Sequence, residues 1–504
     1  MPLLHRAARA VRRPGAHPPL PLAALALLLA LLSPAPAAAH TRLRSSAPAP
    51  GASVADTLSE IRLSFTEPVV PEMTSLVLTT GAGTIAEGKL QPVDGTGRRV
   101  FAFRLPQRLA AGPYTAVWRS AAADGHVIHG TLTFTVTAGG ADTASSTVAG
   151  PAATQVRDTT AASTAQALAA AQSPAAASGE DAAPADDAAA DEGGTSEYDA
   201  VAPLPLTVRW LELVSLLATL GAVAFNLLVV RRLGAALPER VADRAAYGAW
   251  HIAAGAAALG ALTLVARLWL QSRAIFGPEE AFEGERLEAL LRGTVWGSGW
   301  ILQAVATVAY FVGLMVARAP HGRSIGWMGA AFAATLLAAV PALSGHASAT
   351  ERFTAVAIVS DWLHVLGAGV WLGTLGAVLL AGLPAAAFAG EGQGTAAFAR
   401  MTRGFSPVAL AGAGTAGVTG IANSLFHLSA VGQLWGTWYG RMLVLKLALL
   451  AVVAMLGYVN WRRVLPVADT PEGARRLRRN AAVELGNGIA VILVTAALVA
   501  LPTP

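Results

Sequence analysis

Eight apolar stretches of membrane-spanning length fill the C-terminal part of this 504-residue chain, near 208–230, 247–270, 296–317, 325–343, 354–382, 404–426, 440–460 and 482–501. Hydrocarbon offers no hydrogen-bond partners, so such segments satisfy their own backbone groups as helices. With 54% hydrophobic residues and only 13% charged ones, the chain is too apolar for an ordinary soluble protein. The expectation is an all-α polytopic bundle of about eight helices in a lipid bilayer.

The loops orient it. Arg231, Arg232, Arg240 and Arg244 follow the first stretch, Arg318 and Arg323 the third, Arg400 and Arg403 the fifth, and Arg462, Arg463, Arg475, Arg476, Arg478 and Arg479 the seventh. Alternate loops carry the arginines, so those loops are cytoplasmic. The loop with Glu279, Glu280, Glu283, Glu285 and Glu288 is acidic and belongs outside. Both ends of the membrane part then lie outside. The formal charge of +5 is concentrated at these flanks and in the first residues. This is a topology signal rather than a phosphate-binding surface, and no nucleic-acid partner is expected.

A basic start (His5 to Arg13), an apolar run from Leu20 to Leu32, and Ala37, Ala38 and Ala39 before His40 read as a signal peptide cut after Ala39. From His40 to about Thr137 the pattern changes to short alternating runs, among them Ile61 to Phe65, Leu76 to Leu78, Val100 to Phe103, Tyr114 to Trp118 and Thr131 to Val136. Gly and Pro separate them, which predicts an all-β sandwich or barrel outside the cytoplasm. From Ala138 to about Ala200 the composition is Ala, Thr, Ser, Asp and Glu, and a disordered linker is expected.

There is no cysteine, so a metal site must use nitrogen and oxygen or the few methionines. Cleavage after Ala39 gives His40 a free α-amine beside its imidazole, a pair that chelates one ion. Copper(II) suits it, since it favours tetragonal N/O sets and heads the divalent affinity order. Asp124-Gly125-His126 offers a carboxylate and a second imidazole two positions apart, on one face of an extended strand. His129 has the opposite parity and is expected to face away.

His40 to Ala52, Leu63-Ser64-Phe65-Thr66-Glu67-Pro68, Gly112 to Arg119, and Ala123-Asp124-Gly125-His126 through Thr133 to Val136 resemble the CopC family of periplasmic copper-binding proteins. The resemblance implies a Greek-key, cupredoxin-like or Ig-like sandwich with copper(II) held by His40, Asp124 and His126. Glu67 falls where some members carry a nearby carboxylate. Some members also carry a methionine-rich copper(I) segment, but Leu78 to Lys89 has no methionine and Met73 is the domain's only one.

Ionisable residues inside membrane segments are functional candidates. Asp361 and His364 lie in the fifth stretch, His364 roughly 15 Å below its outer start at 1.5 Å per residue. His346 and His427 lie near the outer ends of the fourth and sixth. The three histidines together suggest a descending series for a metal ion, though an interfacial anchor is the plainer reading for His427. His251 reads as structural. Glu212 in the first stretch and Lys446 in the seventh suggest an ion pair between helices.

Gly345-His346-Ala347, Asp361 to His364 with Val370 to Gly373, Phe405 to Gly420, Thr437 to Leu447 and Thr294 to Trp300 resemble the CopD family of copper-resistance membrane proteins. Gln303 departs from the basic residue expected there in many relatives. The expected organisation is a signal peptide (1–39), a CopC-like domain (40–137), a linker (138–203) and a CopD-like domain (204–504). The resemblance implies copper import or tolerance, fed by a periplasmic copper donor and without catalysis. Nothing in the sequence sets an oligomeric state. Two alternatives use the same residues, a copper-dependent oxygen-activating enzyme at His40 and a haem-binding electron carrier with intramembrane histidine ligands.

Overall fold

A computed structural model describes residues 41–55, 57–122, 127–138, 202–277, 279–319, 321, 323–344, 354–390, 392–428 and 430–501. The expected signal peptide, His40, nearly all of the linker, Asp124, His126 and His346 lie outside the described residues.

The N-terminal domain is a sandwich of two sheets. One has the order β1-β3-β7-β6, built from Leu43–Ala47, Glu60–Phe65, Val100–Arg104 and Gln91–Pro92. The other has the order β2-β9-β8-β4-β5, from Ser53–Ala55, Val127–Thr137, Gly112–Ala121, Ser75–Thr80 and Gly83–Lys89. Alternation sets which side faces in. Along β9, Ile128, Gly130, Leu132, Phe134 and Val136 are buried, while Thr131, Thr133 and Thr135 are exposed. Trp118 on β8 lies opposite Gly130, where a Cβ would come within 2.7 Å of its ring, so the absent side chain is what admits the indole. Phe65 meets Trp118 edge-on, with centroids 5.6 Å apart.

Eight helices are long and apolar enough to cross a membrane among the described residues. They are α1 (Pro203–Ala224), α2 (Glu239–Phe276), α4 (Val295–Arg318), α5 (Arg323–Ser344), α6 (Thr354–Ala368), α7 (Gly394–His427), α8 (Trp438–Val459) and α9 (Pro471–Leu498). A short amphipathic helix, α3 (Gly284–Gly293), precedes α4 on the outer side. π-Helical stretches extend α1, α6 and α8 inward, at Phe225–Val230, at Gly369–Gly373 and Val378–Gly382, and at Asn460–Val464. Indole N–H groups tie neighbouring helices: Trp250 donates to the Leu314 carbonyl at 2.9 Å, Trp300 to Leu264 at 2.9 Å and Trp362 to Thr335 at 3.0 Å. A carbonyl oxygen has two lone pairs, so each of these can accept an indole N–H from a neighbouring helix.

The sandwich rests on the outer ends of the bundle. Val70, Met73 and Ala121 form one buried apolar cluster with Ile275 of α2 and Leu290 of α3, and Val127, Leu268 and Trp296 pack around it. Met73 is therefore an apolar contact between the two domains.

Candidate metal pathway

Beneath the sandwich lies a cavity of about 1210 Å³. Its upper wall includes Arg119, Val127 and His129 of β8 and β9, and its lower wall includes Asp361 and His364. His129 points away from the sandwich core, as strand parity predicts, and toward this space. Val127 directly follows the segment 123–126. The start of β9, which follows the segment 123–126, thus lines the same cavity as the intramembrane His364.

At 1.5 Å per residue, His364 stands about 15 Å, Asp361 about 10 Å and Lys446 about 12 Å below the outer ends of their helices. Asp361 and His364 are three apart on α6 and share a face. The imidazole is fixed: Nδ1 lies 2.9 Å from the Ala416 carbonyl and 3.3 Å from Thr419 Oγ1, both on α7. A carbonyl only accepts, so Nδ1 carries the hydrogen and Nε2 keeps its lone pair. That tautomer leaves Nε2 able to ligate a metal, while the Ala416 carbonyl fixes the ring orientation. Gly420 makes room for the ring, since a Cβ there would fall 3.0 Å from His364 Cε1.

Asp361 accepts from Asn423 Nδ2 at 3.2 Å, and Lys446 of α8 stands close enough for their charges to interact. Glu212 does not pair with Lys446. Glu212 accepts instead from Arg267 of α2, and Gln303 of α4 accepts from Arg267 and donates to Glu212, each at 3.0 Å. The expectation of a Glu212–Lys446 pair fails because α1 packs directly against α2, which brings Arg267 to Glu212. Gln303, the position that departs from the family pattern, bridges that pair.

Glu67 follows β3, half-buried, with Arg99 Nη2 3.4 Å from its carboxylate. His427 is the last residue of α7. His251 Nδ1 lies 2.9 Å from the Tyr247 carbonyl one turn back on α2, on an exposed side of the helix. Among the described residues no three His, Asp or Glu side chains converge as a metal site.

Sequence reasoning missed several groups. Asn423 reads as an unremarkable polar residue of α7, and Arg209 and Arg267 as helix flanks. Glu484 sits just inside the expected start of the last span at 482, but α9 begins at Pro471, so the carboxylate is well inside the helix and buried against Asn460 Nδ2 at 3.2 Å. The mean hydropathy of a window hides a single charge at its edge. A helical wheel through Glu484 and Asn480 would have marked a polar face.

The comparisons with known proteins follow the same division. Residues 43–137 match the CopC domain, 200–356 the N-terminal domain of copper resistance protein D-like proteins, and 399–498 copper resistance protein D. The copper transport protein CutJ of Bacillus subtilis (strain 168) is 24% identical over 91% of this chain and 73% of its own length. Among solved structures, CopC from Methylosinus trichosporium OB3b is 26% identical over 21% of this chain and 100% of its own, with a TM-score of 0.19. PcoC, a methionine-rich copper resistance protein from Escherichia coli, is 30% identical over 20% of this chain and 100% of its own, with a TM-score of 0.18. With a CopC domain followed by both parts of a copper resistance protein D-like membrane domain and eight helices long and apolar enough to cross a membrane, the chain has the domain order of a CopC–CopD fusion, a multi-pass inner-membrane protein with its N-terminal domain outside the cytoplasm.

Proposed function

We propose that this copper-handling protein captures copper(II) on its outer side with His40, Asp124 and His126 and passes it through the cavity to Asp361 and His364. The reading takes residues 1–39 as a leader removed in the mature protein, 40–137 as the capturing domain, 138–203 as the connector and 204–504 as the membrane domain. Glu67 serves as a nearby carboxylate, and a periplasmic donor loads the site. His346 and His427, read from the sequence near the outer ends of the fourth and sixth stretches, serve in this reading as steps above His364.

One observation carries the reading. The strand end next to His126 and the metal-competent Nε2 of His364 belong to the walls of one cavity. Copper leaving the sandwich there enters a space with no lipid to cross before it meets an imidazole and a carboxylate. An all nitrogen and oxygen ligand set matches copper(II), and the single methionine of the domain is committed to the domain contact.

The capture half is tested on the full chain in detergent. His40→Ala should weaken copper(II) binding by orders of magnitude and remove the spectroscopic signature of nitrogen ligation. Unchanged affinity in that variant would eliminate the capture site.

A further inference from the structure

The cavity beneath the sandwich has a charge balance that a cation pathway does not explain. Among the described residues, Arg119, Arg209, Arg267, Arg273 and Lys446 line it against Glu212 and Asp361, five basic side chains against two acidic ones. Both carboxylates already have hydrogen-bond partners, Glu212 in Arg267 and Gln303, and Asp361 in Asn423. Arg209 lies one turn from Glu212 on α1 and feels the charges of both Glu212 and Arg267. Its Nη1 is buried and has no hydrogen-bond partner among the described residues. A buried guanidinium N–H is costly to leave unmade, and its planar fork matches a carboxylate. The volume of about 1210 Å³ is that of a small-molecule site, larger than a single ion requires.

We propose that Arg209, backed by Arg267, anchors a small carboxylate in this cavity, and that copper(II) passes through it as a complex with such an anion. The second half rests on the copper reading above; the anion site does not. The carboxylate offsets the surplus of positive charge and accompanies the metal toward His364, so the dication never faces the arginines alone. No electron transfer is involved, only exchange of ligands on copper(II).

The full chain in detergent is titrated with carbon-13-labelled acetate in perchlorate buffer without copper, and binding is read from the acetate line width. Saturable binding is expected, at least tenfold weaker in Arg209→Gln and unchanged in Gly255→Ala, outside the cavity lining. Should Arg209→Gln fail to fold, Arg209→Lys carries the test, since it keeps the charge and loses the fork; a loss of threefold or more supports the site and unchanged binding overturns it. No acetate binding in the wild type, or chloride displacing acetate at equal concentration, would overturn the carboxylate assignment. In proteoliposomes, copper(II) supplied with glycinate should move faster than copper(II) perchlorate, and Arg209→Gln should erase the difference. Equal rates would overturn the accompanied passage. If neither form moves, the copper reading fails while the acetate result stands.

Discussion

The outer and inner halves of the membrane bundle are built on opposite principles. The outer half surrounds a cavity and carries its charges there, at Glu212, Arg267, Asp361, His364 and Lys446. The inner half is closed by residues with almost no side chain. On α2, Ala245, Ala249 and Ala253 form a fully buried stripe at a spacing of four. Gly221 of α1 and Gly373 beyond α6 touch backbone to backbone, so a Cβ on either would fall within 1.9 Å of the other helix. Gly313 and Gly326 do the same for α4 and α5. A second cavity of about 700 Å³ lies near the arginine-bearing inner loops, lined by Asn226, Arg231 and Arg318. In depth, buried Tyr310, whose hydroxyl donates to the Thr219 carbonyl at 3.3 Å, and the Gly221–Gly373 contact lie between the two cavities. Charged side chains cluster around the outer cavity and are sparse in the inner half, where Glu484 is buried against Asn460 Nδ2. A passage to the cytoplasm must cross the seal, so helix movement belongs at the small-residue contacts and at the π-helical stretches beside them.

The largest effect is expected at the seal. Gly373→Val forces two backbones apart and should destabilise the protein by more than about 3 kcal/mol, read as loss of a monodisperse elution peak and a lower melting temperature. Gly255→Ala, on α2 where a Cβ meets nothing, should leave both unchanged. Similar outcomes for the two would erase the distinction between the halves.

Breaking the outer ion pair comes next. Arg267→Met leaves Glu212 without its counter-charge and should cost about 3 kcal/mol, whereas Arg267→Met with Glu212→Leu should recover most of it. Thermal melting of the two variants checks this; a double variant as unstable as the single one would contradict it. Gln303→Leu removes one bridging hydrogen bond on each side and should cost about 1 kcal/mol by the same measurement.

The smallest effect belongs to the cytoplasmic surface. Arg403 donates to both carboxylate oxygens of Asp469, at 3.1 and 2.5 Å. Those bonds hold Asp469 below its ordinary value of 3.8. A depressed carboxylate stabilises the fold above the ordinary value, and the contribution fades as pH falls through the lowered one. Arg403→Ala should therefore cost about 0.5 kcal/mol at neutral pH, as exposed pairs do, and nothing once Asp469 is protonated. A cost that persists in acid would mean that Arg403 acts through its other contact, the Leu465 carbonyl.

The two domains were legible in the sequence for different reasons. Alternation exposed the sandwich because each strand has one wet face, and β9 repeats this over its whole length. Uninterrupted apolar runs exposed the eight spans, but not their ends. The second span, expected over 247–270, is the helix Glu239–Phe276, because arginines and polar residues continue a helix past the bilayer as easily as they end it. The docking of the sandwich on α2 and α3 left no trace, since Val70, Met73 and Ala121 are indistinguishable from core residues of an isolated domain. Pairing between spans was equally hidden. The sequence marks Glu212 and Lys446 as costly, but only the packing of α1 against α2 decides that Arg267 is the partner of Glu212. His364 was readable as a candidate from its depth, while the carbonyl of Ala416 that sets its tautomer was not.

Copper accumulation in a strain lacking this protein, complemented with either the wild type or His364→Ala, bears most directly on whether metal goes from the sandwich into the bundle. The variant should leave cellular copper at the level of the uncomplemented strain while its exported domain still binds copper(II). Wild-type copper levels in cells carrying His364→Ala would contradict a route through the cavity.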